Sequence, residues 1–104
     1  MHFANELTND PARARAYFED KLAFTTGPVE VERMLKSNGH VLVVDVRASE
    51  DFAKGHVPGA LNLPEDKWDS LEGISRDRMH IFYCYTQTCH LAARACALFA
   101  GRGY

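Results

Sequence analysis

The sequence predicts an α/β fold: a mainly parallel sheet flanked by helices, in a single domain. Three observations carry that reading. Val41-Leu42-Val43-Val44 is a continuous apolar run ending at Asp45. It lacks the polar alternation of a half-exposed strand, so it suits a strand buried on both faces. His80-Ile81-Phe82-Tyr83 is a second such run, leading directly into Cys84. Helical patterns follow both, and strands alternating with helices mark parallel α/β sheets.

The elements follow in order. Asp10 suits a helix cap and Pro11 the first helical turn. Ala12 to Lys21 are good helix formers, and Phe18 and Leu22 lie four apart on one face. Leu22-Ala23-Phe24 has the composition of a short strand. Thr26-Gly27-Pro28 opens a second helix with Val29, Val31, Met34 and Leu35 at near-helical spacing, and Ser37-Asn38-Gly39 stops it. After the strand ending at Asp45, Ser49 to Ala53 forms a helical turn closed by Lys54-Gly55. His56-Val57-Pro58-Gly59 is a turn, since Pro58-Gly59 fits the central positions of type II geometry. Ala60 to Leu63 has room for a short strand, and Pro64 starts a helical turn through Trp68 and Leu71. The last helix begins at Cys89 or His90, carries Leu91, Ala95, Leu98 and Phe99 on one face, and ends at Gly101-Arg102-Gly103. Trp68, Phe82, Tyr83, Cys96 and Phe99 are expected in the core.

Composition narrows the function classes. The 104 residues suit one domain, and 46% hydrophobic with 25% charged residues is enough to build a core and excludes a disordered chain. Fourteen acidic against twelve basic residues give a net charge of −2, which argues against a nucleic-acid binder relying on bulk charge. No apolar run approaches the ~18–20 residues of a membrane helix. The start, MHFANELTND, has no apolar core behind a basic segment, so no secretory signal is expected. Three cysteines are too few for a disulfide scaffold. The expectation is a cytoplasmic domain with reactive thiols, binding neither nucleic acid nor membrane.

The informative unit is Cys84, at the carboxyl end of a strand where a short loop turns into a helix. In open α/β sheets ligands bind just outside the strand carboxyl ends. Backbone N–H groups of a loop entering a helix N-terminus favour anions, through their free donors and the helix dipole. A thiol held there gains thiolate character. Cys84 therefore reads either as a reactive thiol or as a small buried residue closing a strand.

The stretch VLVVDVRASEDFAKGHVPGALNLP resembles the first half of a rhodanese domain: a hydrophobic strand, Asp-x-Arg, an acidic helical turn, then Gly-His-Ile/Val-Pro-Gly-Ala. The segment IFYCYTQTCHLAARACALFAGRGY resembles its second half, with a strand, the catalytic cysteine, its loop, and a helix ending in Gly-Tyr. Two motifs in the right order and separation make the resemblance specific. It spans Val41 to Tyr104 and implies an N-terminal helical extension, residues 1–26, before a rhodanese-like domain at 27–104. Such domains continue past Gly-Tyr into a further, central strand. The expectation is thus a C-terminal strand missing from the chain shown, either omitted or supplied by a partner.

What the resemblance implies is a sulfurtransferase. Cys84 matches the family nucleophile, which attacks the outer sulfur of thiosulfate or of a persulfide-carrying donor, holds it as a persulfide, and passes it to a thiol-type acceptor. The loop of Tyr85, Thr86, Gln87, Thr88, Cys89 and His90 would hold the anionic donor through its backbone N–H groups. No metal or organic cofactor is implied, because the thiolate performs the displacement and loop dipoles stabilise charge. Asp45 and Arg47 resemble the family pair near the active-site face, in a supporting role as an ion pair or loop hydrogen bonds.

The departures are equally specific. Many rhodanese loops carry glycine three and arginine five residues after the cysteine; here those positions hold Gln87 and Cys89. Loss of the arginine removes a charged anion clamp. Phosphatases of the same fold place arginine six residues after the cysteine, where this chain has His90, so phosphate-ester hydrolysis is poorly equipped. Two readings of Cys89 stand open: a thiol that resolves a Cys84 persulfide or sulfenate as a disulfide, or a structural residue at the helix start. A zinc site of Cys84, Cys89 and His90 lacks a fourth ligand. His56 is expected to order its own turn, Arg94 to be a solvated helix charge, and Tyr85 to wall the site or meet a partner. The alternative function, from another class, is a non-catalytic module that binds a partner or senses oxidants through Cys84 and Cys89.

Overall fold

Five consecutive buried residues, Val41–Asp45, form β1, the middle strand of a parallel sheet. This computed structural model describes residues 7, 9–37, 39–70, 74–86 and 88–104. Contacts divide the chain into two units, residues 1–33 and 34–104.

In the first unit, α1 spans Pro11–Phe24. Asp10 caps it as expected, accepting from the Arg13 N–H at 3.2 Å, with Pro11 at the first helical position. Leu22-Ala23-Phe24 is not a strand: the three residues complete the last turn of α1, which ends at the extended Thr25. A strand needs a neighbour for its N–H and C=O groups, whereas three residues continuing a capped helix are satisfied within it. Helix α2, Pro28–Ser37, begins in this unit and runs into the second. Its first turn is closed by the Val31 N–H on the Gly27 carbonyl.

In the second unit, β2 (Leu61–Asn62) and β3 (Met79–Tyr83) flank β1 in the order β2-β1-β3, both parallel to it. Parallel neighbours require crossovers. The first carries α3, Ser49–Lys54, and a turn in which the Ala60 N–H meets the Val57 carbonyl at 3.0 Å. Gly59 in that turn has φ +81°, the left-handed value that type II geometry demands and glycine adopts without steric cost. The second crossover carries a 3₁₀ helix, Glu65–Ser70, where the sequence led us to expect a helical turn. Leu71 and Asn38 lie outside the described residues. Helix α4, Leu91–Gly101, packs on β3.

The core of this unit gathers Leu42, Val44, Val46, Leu63, Trp68, Ala95 and Phe99. Phe99 stacks on Phe82 at 5.3 Å and meets Trp68 edge-on at 6.4 Å, while the Trp68 indole N–H donates to the Leu63 carbonyl at 2.8 Å. Val41 and Val43 are buried as well, so β1 is covered on both faces, as an unbroken apolar run requires. Cys96 departs from expectation: the residue is exposed. It follows Ala95 by about 100° of helical rotation, which carries it off the apolar face. Among the described residues β3 pairs on one side only, with β1.

Candidate functional site

The carboxyl ends of β1 and β3 lie side by side, with Asp45 and Tyr83 as register partners. Asp45 is fully buried. A buried carboxylate is tolerated only with partners, and this one has three kinds. The Arg47 N–H donates to Oδ1 at 2.8 Å, the Arg47 guanidinium forks onto both oxygens at 2.8–3.1 Å, and the Tyr83 hydroxyl donates to Oδ2 at 2.6 Å. Burial pushes the Asp45 carboxyl up, but the hydrogen bonds from Arg47 and Tyr83 outweigh it and leave the group below its ordinary range. Burial, then the bond to Asp45, raises the Tyr83 phenol.

The same pair organises the surrounding loops. Arg47 also donates to the Gly55 carbonyl at 2.6 Å, and the Tyr83 hydroxyl accepts from the Val57 N–H at 3.0 Å. Asn62 donates its amide to the Asp45 and Arg47 carbonyls at 3.1 and 3.0 Å. The segment after β1 is thereby fastened beside the end of β3, where Cys84 emerges.

Cys84 is half-buried and packs against the core. Its Sγ lies 3.6 Å from the Cys89 carbonyl and 3.9 Å from the Thr86 carbonyl. The Cys89 N–H closes a turn onto the Thr86 carbonyl at 3.2 Å, which folds the loop back over Cys84. Interaction with the Cys84 thiol, chiefly, and with the Leu91 and Tyr85 backbone holds the Cys89 thiol below the ordinary thiol range. Tyr85 is exposed, but its hydroxyl donates to Asp51 at 2.7 Å and accepts from the Ala48 N–H at 3.1 Å. The bond to Asp51 raises its phenol.

A sequence model of the rhodanese-like domain matches residues 27–104. The chain belongs to the rhodanese-like family. The structure resembles the crystal structure of the BH2092 protein from Bacillus halodurans, with TM-score 0.77 and 30% identity, over 91% of this chain and 72% of that one. The HTH-type transcriptional regulator Rv0324 of Mycobacterium tuberculosis is 40% identical over 58 residues, 55% of this chain and 26% of that protein. The tRNA sulfurtransferase of Pyrobaculum aerophilum is 36% identical over 62 residues, 59% of this chain and 13% of that protein. The chain thus spans about a quarter, or less, of the length of these two curated relatives.

In this rhodanese-like domain the residues singled out from sequence fall into two groups. Cys84, Tyr85, Thr86, Cys89 and the N–H of Leu91 gather at the loop; Asp45 and Arg47 stand behind it, joined to each other rather than opened toward a ligand. The Thr86 and Thr88 hydroxyls are 3.2 Å apart. His90 is the cap residue of α4 and its side chain makes no capping bond. Gln87 lies outside the described residues. His56 orders its own turn: Nδ1 sits 2.7 Å from the Phe52 carbonyl and the ring stacks on Phe52 at 3.6 Å. Arg94 is exposed and pairs with Glu65 at 2.9 Å, while its charge also favours the Cys89 thiolate. Among the described residues no three His, Cys, Asp or Glu side chains gather as metal ligands would, and no helix is long and apolar enough to cross a membrane.

Sequence reasoning missed two parts. Tyr83 reads as a core aromatic, yet its hydroxyl serves the buried carboxylate. Asp51 reads as one acid of a helical turn, yet it anchors Tyr85. The alignment of β1 with β3 carries the first signal, and sequence spacing alone does not supply it.

Proposed function

We propose that the domain is a sulfurtransferase that moves sulfane sulfur from thiosulfate or a persulfide donor to a thiol-type acceptor through a Cys84 persulfide. The observation that carries the reading is the position of Cys84: half-buried at the carboxyl end of β3, beneath a loop that enters α4. Membership of the rhodanese-like family and the likeness to a tRNA sulfurtransferase support it. The thiolate attacks the outer sulfur of thiosulfate, an S–S bond breaks, and sulfite leaves with the bonding electrons. The persulfide then surrenders that sulfur to an acceptor thiolate. Asp45 and Arg47 act as positioning residues, since their bonds hold the segment beside Cys84. We place the domain in the cytoplasm, where its unpaired thiols stay reduced.

A second reading is a non-catalytic module that binds a partner. It is favoured by the loop between Cys84 and Leu91, which carries no arginine to clamp an anion. One measurement separates the two. After incubation of the reduced protein with thiosulfate, then with inorganic polysulfide, sulfurtransfer predicts sulfite release from the first and a trapped sulfur on Cys84 in a chain lacking Cys89. Absence of added sulfur with both donors favours the module.

A further inference from the structure

We propose that His80 is a pH-sensitive latch: protonation at its buried Nε2 loosens the hold of α4 and of residues 102–104 on β3.

His80 sits inside an aromatic cluster that joins these elements. It lies in β3 opposite Leu42 of β1, and the residue is half-buried. Tyr104 meets its ring edge-on at 5.8 Å, and Phe82 lies tilted to it at 6.4 Å. Phe99 of α4 completes the cluster, stacked on Phe82 at 5.3 Å and edge-on to Tyr104 at 5.9 Å. The His80 Nε2 is buried there without a hydrogen-bond partner among the described residues. A neutral imidazole can leave that nitrogen as a bare lone pair. An imidazolium carries N–H on both nitrogens, and a buried charged donor without an acceptor is costly.

The neighbouring charges do not offset that cost. Asp77 is the acid that favours the cation, but its carboxylate already accepts from the Ser75 hydroxyl and interacts with His40. Arg78 opposes it, with its guanidinium held on the Val41 carbonyl at 2.9 Å. Tyr104 offers a ring, but the Arg76 guanidinium already stands 4.3 Å over it while donating to the Arg102 carbonyl at 2.9 Å. A second cation at that ring meets like charge. Burial, chiefly, holds His80 below the ordinary histidine value, against the opposing effect of the Ser75 backbone.

With the folded value below the unfolded ~6.5, the cluster contributes its full stability above ~6.5. That contribution is lost as pH falls from there toward the folded value, because opening lets the ring take up a proton. The loop from Cys84 to Leu91 runs from the end of β3 to the start of α4. The latch thus acts on the scaffold that carries both ends of that loop.

The experiment follows the full chain between about pH 7.5 and 5.5, either side of the ordinary histidine value. It reads the His80 ring by NMR, and the amide exchange of residues 99–104 corrected for intrinsic rate. His80 is expected to titrate with a midpoint below ~6.5. Protection of residues 99–104 is expected to fall by up to about tenfold, the limit for one proton taken up at ~6.5 over this range. In His80→Phe, and again in His80→Gln, the fall should shrink to less than about twofold. Tyr104→Ala opens the cluster to water and should move the His80 midpoint up toward ~6.5. A wild-type midpoint at or above ~6.5 overturns the latch. So does wild-type protection that changes less than about twofold, or an equal fall with and without the imidazole.

Discussion

Asp45 and Tyr83 end adjacent parallel strands as register partners, and the Tyr83 hydroxyl donates to the buried Asp45 carboxylate across 2.6 Å. The same hydroxyl accepts from the Val57 N–H, so one side chain ties the ends of β1 and β3 to the turn before β2. Tyr83→Phe deletes both bonds and leaves the ring in place. Because one partner is a charged group, the variant should lose about 1.5–3 kcal/mol of stability in urea unfolding. An unchanged midpoint would show that the hydroxyl contributes nothing net.

The Asp45 carboxylate makes a pH prediction with a definite sign. Its folded value lies below the unfolded one, as burial is overcome by Arg47 and Tyr83. The stabilisation is therefore full above the unfolded value of ~3.9 and is lost as pH falls through the lower folded value. Asp45→Asn should be much less stable than wild type at neutral pH, with the gap narrowing below about pH 4. A gap constant from pH 7 down to pH 3 would contradict the assignment.

Transfer activity should separate the three cysteines. Cys84→Ser is expected to abolish transfer, whereas Cys96→Ser, altering an exposed residue on α4, should retain nearly all of it. Sulfite release in a single turnover is the measurement. Wild-type release by Cys84→Ser would remove the catalytic assignment.

Alkylation against pH should rank two of the thiols. Cys89 lies below the ordinary range, chiefly through the hydrogen bond from Cys84, so its midpoint should rise in Cys84→Ala. Although Cys96 is exposed as a residue, partial burial at its thiol raises it, so it should be modified more slowly than Cys89 at neutral pH. If the Cys89 midpoint is the same with and without Cys84, the two sulfurs do not meet in solution.

Much of the fold is visible in local pattern. The apolar run Val41–Val44 and the run entering Cys84 announce buried parallel strands, and β1 and β3 occupy those residues. Asp10-Pro11 announces the start of α1, and Pro58-Gly59 announces the turn before β2. These signals are short-range: a cap, a fixed φ, a run of side chains that water disfavours. Where the local signal was composition alone, it misled, as at Leu22-Ala23-Phe24, because a strand depends on a partner elsewhere in the chain.

By itself the sequence determined that this is an α/β chain of the rhodanese-like family with a thiol at a strand end. Only the tertiary structure decided what that thiol faces. Cys84 and Cys89 are five residues apart in any conformation, but the turn from Thr86 to Cys89 sets the carbonyls of both those residues toward the Cys84 sulfur. Likewise Asp45 and Tyr83 are thirty-eight residues apart, and strand register alone makes them neighbours. The physical reason is common to both. Hydrophobic pattern specifies which segments are buried, whereas the direction of a hydrogen bond depends on backbone angles and register that are settled only when the segments pack.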